Sequence, residues 1–380
     1  MTTAPSPLER PKDWVNIVFL TLTPLIAIPG LIWYTYMTGL QLWMPLLFLG
    51  MYILAGLSVC AGYHRFFAHK SYDCAPVVQY GLAFFGAMAA QNSILTWSAG
   101  HRRHHAYSET EWDPYTITRG FWWAHMFWIF YKDPEGGYIE NVRDLQKNPV
   151  VAWQHRWYRA ILMAGGFGLP MLIGALCGNA IAGLLWGGFL RIVVVHHSTF
   201  FVNSLAHSFG SKAYDEESTA RDNWFVALLT FGEGYHSFHH RFPADFRNGI
   251  RWFSWDPAKW FISAMSWAGL ASKLRTTAAP AIERARMEVA VKRIEAHIEQ
   301  SGHTRGAEIR AQIAKARDAF TAAAELWQQR SVERAKGRTA QWKAIGRSYH
   351  LRIVEARREW RHVLLALKTF SEGSTEQPTT

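Results

Sequence analysis

The sequence predicts an all-α integral membrane protein in which four transmembrane helices form two hairpins with a histidine-rich cytoplasmic cap, followed by a helical C-terminal extension. Three observations support this prediction. Four apolar stretches are each long enough to cross a bilayer, which takes about 20 helical residues. Nine histidines recur in short spacings after these stretches and between them. From Lys273 onward the composition changes to Ala, Arg, Glu and Lys, which separates a membrane domain, 1–272, from the extension, 273–380.

The spans are predicted from continuous apolar composition, and they lie near residues 15–37, 42–62, 158–177 and 180–202. The loops inside each hairpin carry no Lys or Arg, whereas the segment 63–157 between the hairpins carries nine. Because Lys and Arg accumulate in cytoplasmic loops, both termini and this segment are predicted to be cytoplasmic. The expected location is a bacterial cytoplasmic membrane, with all nine motif histidines on its cytoplasmic side.

The uncharged segment 76–97 offers an alternative topology. If it crossed the membrane as a fifth span, the next histidines would lie on the opposite side. Its Gln79, Gln91, Asn92 and Ser93 make it a poor lipid-facing helix. We therefore predict that it lies at the membrane interface. The aromatic segments 121–131 and 252–271 have the same interpretation.

The histidines form four motifs that are typical of metal ligands: His64-x4-His69, His101-x2-His104-His105, Asn203-x3-His207 and His236-x2-His239-His240. Imidazole binds iron, zinc, copper and nickel, and residues i, i+3 and i+4 share one face of a helix. A closed structural zinc site needs only four ligands, usually with cysteine, so nine histidines indicate two ions. The motifs lack the Glu-x-x-His pairs of soluble di-iron bundles. The alternative is that these are ordinary core or surface histidines.

At these residues the chain resembles the membrane fatty acid desaturases, in particular the delta-9 acyl-CoA (stearoyl-CoA) type, over roughly residues 10–270. The resemblance rests on blocks in the family's order: HRFFAHKSY, HRRHHAYSETEWDPY, RGFWWAH, VNSLAH and GEGYHSFHHRFPADFRNG. It implies two iron ions held by nine histidines and, through a water molecule, one asparagine: His64, His69, His101, His104, His105, His207, His236, His239, His240 and Asn203. Four of the histidines would serve one iron and five the other, and which histidines serve which iron stays open. Asp113 and Glu233, acids inside ligand-bearing blocks, are predicted to orient the ligands.

The resemblance also implies a substrate and a reaction. Asn92 and Trp97 match residues that hold the thioester end of an acyl-CoA in that family. Ala99 and Gly100 replace a polar Arg-Asp pair of the animal members, so acyl carrier protein or a membrane lipid remain alternative carriers. The implied activity is that of an oxidoreductase: dioxygen and two external electrons introduce a cis double bond, between carbons nine and ten, into a saturated long-chain acyl group.

A face of the second span is predicted to line the acyl tunnel. Tyr52, Gly56, Cys60 and His64 are spaced by four, so an α-helix would place them along one face. In the resembling family a tyrosine at this spacing closes the tunnel, and a small residue at the place of Gly56 leaves room for the chain. The alternative is that Tyr52 is a packing or membrane-interface residue.

Two rival functions remain. A membrane hydroxylase of acyl or alkyl chains has similar histidine motifs, and it would form an alcohol where a desaturase forms an alkene. A metal transporter or sensor would need polar residues deep in the spans, and apart from Arg191 these are scarce.

The extension carries 21 Lys and Arg against 12 Asp and Glu, so its formal charge is 21 − 12 = +9. Its isoleucines and Val289 recur at helical spacing and predict two or three helices with an apolar stripe: Ile282, Val289, Ile294, Ile298, Ile309 and Ile313. The fused haem motif His-Pro-Gly-Gly is absent from the sequence, so a separate electron donor such as ferredoxin or cytochrome b5 is expected. The basic charge suits an acidic donor or membrane lipid, and no motif indicates nucleic acid.

Overall fold

The computed structural model describes residues 10–133, 139–301, 306–337 and 339–373. The chain forms two compact units, one of Met1–Lys212 with Glu217–Thr276 and one of Ala213–Glu216 with Thr277–Thr380. Helices dominate the described residues, which contain a single small sheet. Its two antiparallel strands are Asp73–Cys74 and Ala271–Ser272.

The first unit contains the membrane helices and the histidine motifs. Its helices are α1 (Trp14–Thr38), α2 (Trp43–Ala68), α3 (Pro76–Ala87), α4 (Ile94–Tyr107), α5 (Phe121–His125), α6 (Arg143–Gln146), α7 (Pro149–Leu176), α8 (Ala180–Ser208), α9 (Trp224–Leu229), α10 (His236–Arg241) and α11 (Pro257–Trp267). Short 3₁₀ turns cover Ile117–Arg119, Phe127–Phe130 and Ile139–Val142.

Four helices of the described residues are long and apolar enough to cross a membrane, which confirms the predicted number of spans: α1, α2, α7 and α8. The uncharged segment 76–97 forms no such helix. Its α3 has only 12 residues and ends before a turn in which Ala90 and Asn92 adopt φ angles of 57° and 73°. Twelve residues rise about 18 Å, too little to cross the hydrocarbon core.

The helix of the third span begins at Pro149, well before the predicted residue 158, and the polar side chains of Asn148 and Gln154 at its start have partners within the protein. The Asn148 side chain caps the helix by accepting from the N–H groups of Val150 and Val151. Gln154 is fully buried; it donates to the Tyr63 hydroxyl at 2.6 Å and accepts from Ile94 N–H at 3.0 Å. The prediction rested on hydropathy alone, so it placed the start of the span after these polar residues.

The buried cation in the fourth span fixes the turn between α3 and α4. Arg191 is 0% exposed, and its guanidinium donates to the carbonyls of Met88 and of Gly166, the latter at 2.7 Å. His196, on the same helix, contacts the Ala89 carbonyl at 2.9 Å. Carbonyls at the end of a helix lack intrahelical partners, so α8 satisfies them from outside.

The described residues of the second unit form three helices, α12 (Ala279–Ser301), α13 (Gly306–Ala335) and α14 (Thr339–Gly373). The predicted apolar stripe is buried in this unit at every position: Ile282, Val289, Ile294, Ile298, Ile309 and Ile313. Residues such as Met287, Phe320 and Ile353 complete a core to which all three helices contribute.

Candidate metal centre

The nine motif histidines gather into two groups of converging imidazoles. The first, called the five-histidine group, contains His64, His69, His101, His105 and His239. The second, the four-histidine group, contains His104, His207, His236 and His240. Within each group the candidate ligand atoms lie within 4.8 Å of one another. The resemblance implied sets of five and four histidines without assigning them; the structure assigns the residues to two groups of these sizes by proximity.

The two His-x-x-His-His motifs divide in the same way. In α4 the i,i+4 pair His101 and His105 joins the five-histidine group, while His104 joins the other. In α10 the pair His236 and His240 joins the four-histidine group, while His239 crosses to the first. At about 100° per residue, i and i+4 differ by about 40°, whereas i+3 lies about 100° from i+4 on the other side of i. Each short helix therefore serves both groups.

The end of α2 is wound as a π-helix, from Ser58 to Ala68. The backbone N–H of His69 donates to the carbonyl of His64 at 3.0 Å, an i→i+5 hydrogen bond. Five residues on an α-helix turn through about 500°, which would point the two rings apart. Here the ring centroids are 4.8 Å apart. Sequence reasoning assumed regular α geometry and missed this π segment, although the His-x4-His spacing was the available signal.

The ring nitrogens meet through their Nε2 atoms. In the five-histidine group, Nε2 of His64 lies 3.0 Å from Nε2 of His239, and Nε2 of His69 lies 2.8 Å from that of His101. In the four-histidine group, Nε2 of His236 lies 3.0 Å from those of His207 and His240. Neutral imidazole has one N–H, and where Nδ1 carries it, Nε2 is a bare lone pair. Converging lone pairs repel one another unless a cation lies between them, so the donor set fits metal ions.

Partners outside the groups contact Nδ1 on at least four of the rings, one of them the Tyr115 hydroxyl at 3.4 Å from Nδ1 of His101. Glu233 Oε2 lies 2.7 Å from Nδ1 of His64, and Asp113 Oδ1 lies 2.9 Å from Nδ1 of His104. Thr219 Oγ1 lies 2.8 Å from Nδ1 of His207. A partner on Nδ1 fixes the tautomer and aims Nε2 at the group. Sequence reasoning proposed Asp113 and Glu233 but missed Thr219, because a threonine between two motifs carries no distinguishing signal.

Burial keeps at least six of these imidazoles neutral, the form that binds metal. Desolvation is the largest cause, with neighbouring imidazoles adding to it, and it lowers the pKa of six rings well below the usual imidazole value: His69, His101, His105, His236, His239 and His240. For Glu233 burial acts to raise the pKa, but the charge of Arg65, with His64 acting in the same direction, outweighs it, so the net pKa is lowered. Glu233 is therefore a carboxylate at neutral pH.

The other predicted site residues include Trp97, Asn92 and Asn203, of which Trp97 contacts the five-histidine group. The Trp97 ring stacks on His101, with centroids 4.9 Å apart. Asn92 is exposed in the turn before α4, where its N–H donates to the Tyr158 hydroxyl at 3.0 Å. Asn203 is half-buried, four residues before His207 on α8.

Tyr52 and Gly56 lie on α2 next to Phe231. The Tyr52 hydroxyl contacts the Ser198 hydroxyl at 3.0 Å and donates to the Leu229 carbonyl. The rings of Tyr52 and Phe231 are 5.5 Å apart. A Cβ added at Gly56 would overlap Cε2 of the Phe231 ring. The small residue thus accommodates the loop that leads to α10.

Four membrane-crossing helices and two buried imidazole groups define a class: histidine-rich membrane proteins whose residues fit metal ions. The chain belongs to the fatty acid desaturase family, whose model matches residues 38–265.

Among curated proteins, the chain is 37% identical over 287 residues to acyl-CoA desaturase 1 of Saccharomyces cerevisiae, covering 74% of this chain and 55% of that protein. It is 40% identical over 269 residues to a probable acyl-CoA desaturase of Schizosaccharomyces pombe, covering 70% and 55%. It is 36% identical over 266 residues to an sn-2 palmitoyl-lipid 9-desaturase of Nostoc sp., covering 69% and 90%. The chain thus spans about half the length of the two yeast relatives.

Proposed function

We propose that this protein is a dioxygen-dependent fatty acyl desaturase that forms a cis double bond between carbons nine and ten of a saturated long-chain acyl thioester. In the overall reaction, the two hydrogens removed, two external electrons and two protons reduce one dioxygen to two waters. The observation that carries the proposal is the pair of buried imidazole groups in a membrane unit of the desaturase family.

The proposed ligands follow the two groups. The five-histidine group would hold one iron, and the four-histidine group, with Asn203, the other. When bound, the two irons would supply the oxidising power that dioxygen needs to attack an unactivated C–H bond. Glu233, Asp113 and Thr219 keep Nδ1 of their histidines occupied, so each Nε2 stays aimed inward.

Burial limits the access of bulk water to the ligands, six of which are buried and three half-buried. His236 and His239 are 3% and 1% exposed, and the Trp97 ring covers His101. A dry site strengthens the electrostatic hold on the ligands and limits the side reactions of activated oxygen. The apolar substrate chain suits such surroundings, because its own hydrophobic contacts would displace any remaining water.

The carrier we propose is coenzyme A, with the thioester end near Asn92 and Trp97. The yeast relatives are named acyl-CoA desaturases and the Nostoc relative is named a lipid desaturase, so the carrier needs its own test. The full chain would be offered one saturated acyl group as a thioester of coenzyme A, on acyl carrier protein, and in a membrane lipid. Turnover of the coenzyme A thioester alone is the expected result.

The proposed topology has both termini on the cytoplasmic side of a bacterial membrane, supported by the Lys and Arg of segment 63–157. Electrons would then come from a separate cytoplasmic protein such as ferredoxin or cytochrome b5.

The function is tested by expressing the chain in a host that lacks its own desaturase and profiling the cellular lipids. Cis-9 alkenes should appear with the natural chain and disappear with His101→Ala. Hydroxylated chains in place of alkenes would assign the protein to the rival hydroxylase reaction.

A further inference from the structure

Arg65 directly follows the candidate ligand His64, and its charge is entirely enclosed by protein. The side chain is 1% exposed. Its Nε donates to Glu233 Oε1 at 3.0 Å, and its Nη1 donates to the Phe246 carbonyl at 2.8 Å. Burying a cation costs free energy unless it is paired and hydrogen-bonded. These partners therefore make the burial of Arg65 tolerable.

A second buried acid completes the enclosure. Asp256 is 0% exposed, and both of its oxygens lie near the guanidinium: Oδ2 is 3.1 Å from Nη1 and Oδ1 is 2.9 Å from Nη2. The backbone N–H groups of Asn248 and Gly249 donate to Oδ2 at 2.9 Å and 3.0 Å, and that of Lys259 donates to Oδ1 at 2.9 Å. These bonds fix the position of Asp256 at the start of α11.

Glu233 is the link between this ion pair and the five-histidine group. Its Oε1 faces Arg65 and its Oε2 lies 2.7 Å from Nδ1 of His64. The Asn248 side-chain amide donates to the same Oε2 at 2.7 Å. The order in space is therefore Asp256, Arg65, Glu233, His64, with charges that alternate up to the imidazole.

We infer that Asp256 is a positioning residue for the five-histidine group: it anchors Arg65, which holds Glu233 in the place from which it orients His64. The inference rests on the proposed two-metal centre. Asp256 touches no ligand; it acts through the fork of one guanidinium, which can engage two carboxylates at once. The charge of Asp256 also offsets that of Arg65, so that Glu233 need not neutralise this cation alone.

The test is the binding of ferrous iron to the metal-free full chain in detergent, a readout that requires no turnover. Partners in the outer shell of a metal site typically contribute 10–100-fold to affinity. Asp256→Asn keeps the size of the side chain but removes its charge. We expect it to lower iron affinity by about tenfold in one site per chain and to change one of two iron signals in the Mössbauer spectrum. Arg65→Lys should do the same, because lysine lacks the fork.

Asp245→Asn is the matched control. Asp245 is buried in the same loop region and pairs with Arg247 at 2.9 Å. Its replacement should leave both iron signals and both affinities unchanged. Thermal unfolding of each metal-free variant shows whether a loss of affinity comes from a loss of folding.

A double-mutant cycle tests whether Asp256 acts through Glu233. If it does, adding Asp256→Asn to Glu233→Gln should cost little further affinity, because the link is already broken. Additive losses, equal losses in both sites, or unchanged iron binding in both Asp256→Asn and Arg65→Lys would overturn the inference. A protein that passes these tests but forms no alkene would contradict the proposed function and leave the positioning role standing.

Discussion

The two imidazole groups use the same ligand type but are held from outside by different chemistry. The partner of His64 is Glu233, a carboxylate in a buried ion-pair network with Arg65 and Asp256. In the four-histidine group, the partner of His104 is the carboxylate of Asp113, which accepts from the backbone N–H of Tyr115 at 3.2 Å, and Nδ1 of His207 lies 2.8 Å from the neutral hydroxyl of Thr219. A carboxylate partner makes an imidazole ligand more basic. His64 and His104 each have such a partner, so the two groups differ in how that carboxylate is held: Glu233 by the ion pair with Arg65, and Asp113 by backbone N–H groups.

The largest expected effects come from replacing His239 or His240, which are adjacent in sequence but belong to different groups. His239→Ala should remove the iron of the five-histidine group, and His240→Ala that of the other, because each deletes a ligand of one group only. Both variants should lose nearly all activity. Iron per chain and turnover are measured together, with His350→Ala, an exposed residue of α14, as the silent control. Full iron and near-normal turnover in either variant would break the division into two groups.

A smaller effect is expected from replacing Glu233 or Thr219, the residues that contact Nδ1 of His64 and His207. Glu233→Gln should weaken iron binding in the five-histidine group by about 10–100-fold. Thr219→Ala removes one neutral hydrogen bond, worth about 1 kcal/mol or about fivefold, from the four-histidine group. Iron titration of the metal-free chains measures both losses. The comparison fails if Thr219→Ala costs as much as Glu233→Gln.

The next prediction concerns the length of the substrate. Tyr52→Ala should admit longer acyl chains, because it removes the ring that lies beside Phe231. Gly56→Leu should shorten the accepted chain, since its side chain must displace the Phe231 ring into neighbouring space. The products formed from a series of saturated thioesters measure both. If neither profile changes while iron content stays normal, this face of α2 does not line the tunnel.

The smallest expected effect concerns the basic second unit. An acidic electron donor should bind less well after truncation behind Thr276, with the difference fading at high salt. This boundary retains Arg275, whose N–H donates to the Ser71 carbonyl at 2.9 Å. Turnover is measured against donor concentration at two ionic strengths. Identical curves for the truncated and full chains would remove donor docking as a role of the unit.

Sequence reasoning recovered the features that depend on composition and local spacing. The four spans follow from apolar length, and the two triplets on α4 and α10 follow from helical periodicity. It missed the π winding that brings His64 and His69 together, because i→i+5 hydrogen bonding has no compositional signature and only the His-x4-His spacing pointed to it. It also missed Thr219 and Asp256, whose contacts to the site's surroundings join residues distant in sequence.

The central claim is tested most directly by the product that the iron-loaded full chain forms from stearoyl-CoA with dioxygen and a reduced electron donor. Mass spectrometry of the acyl chain distinguishes the outcomes. The account predicts a cis-9 alkene, two hydrogens lighter than the substrate, which forms only when dioxygen is present. An alcohol, or no oxygen-dependent change in a protein that holds two irons, would contradict it.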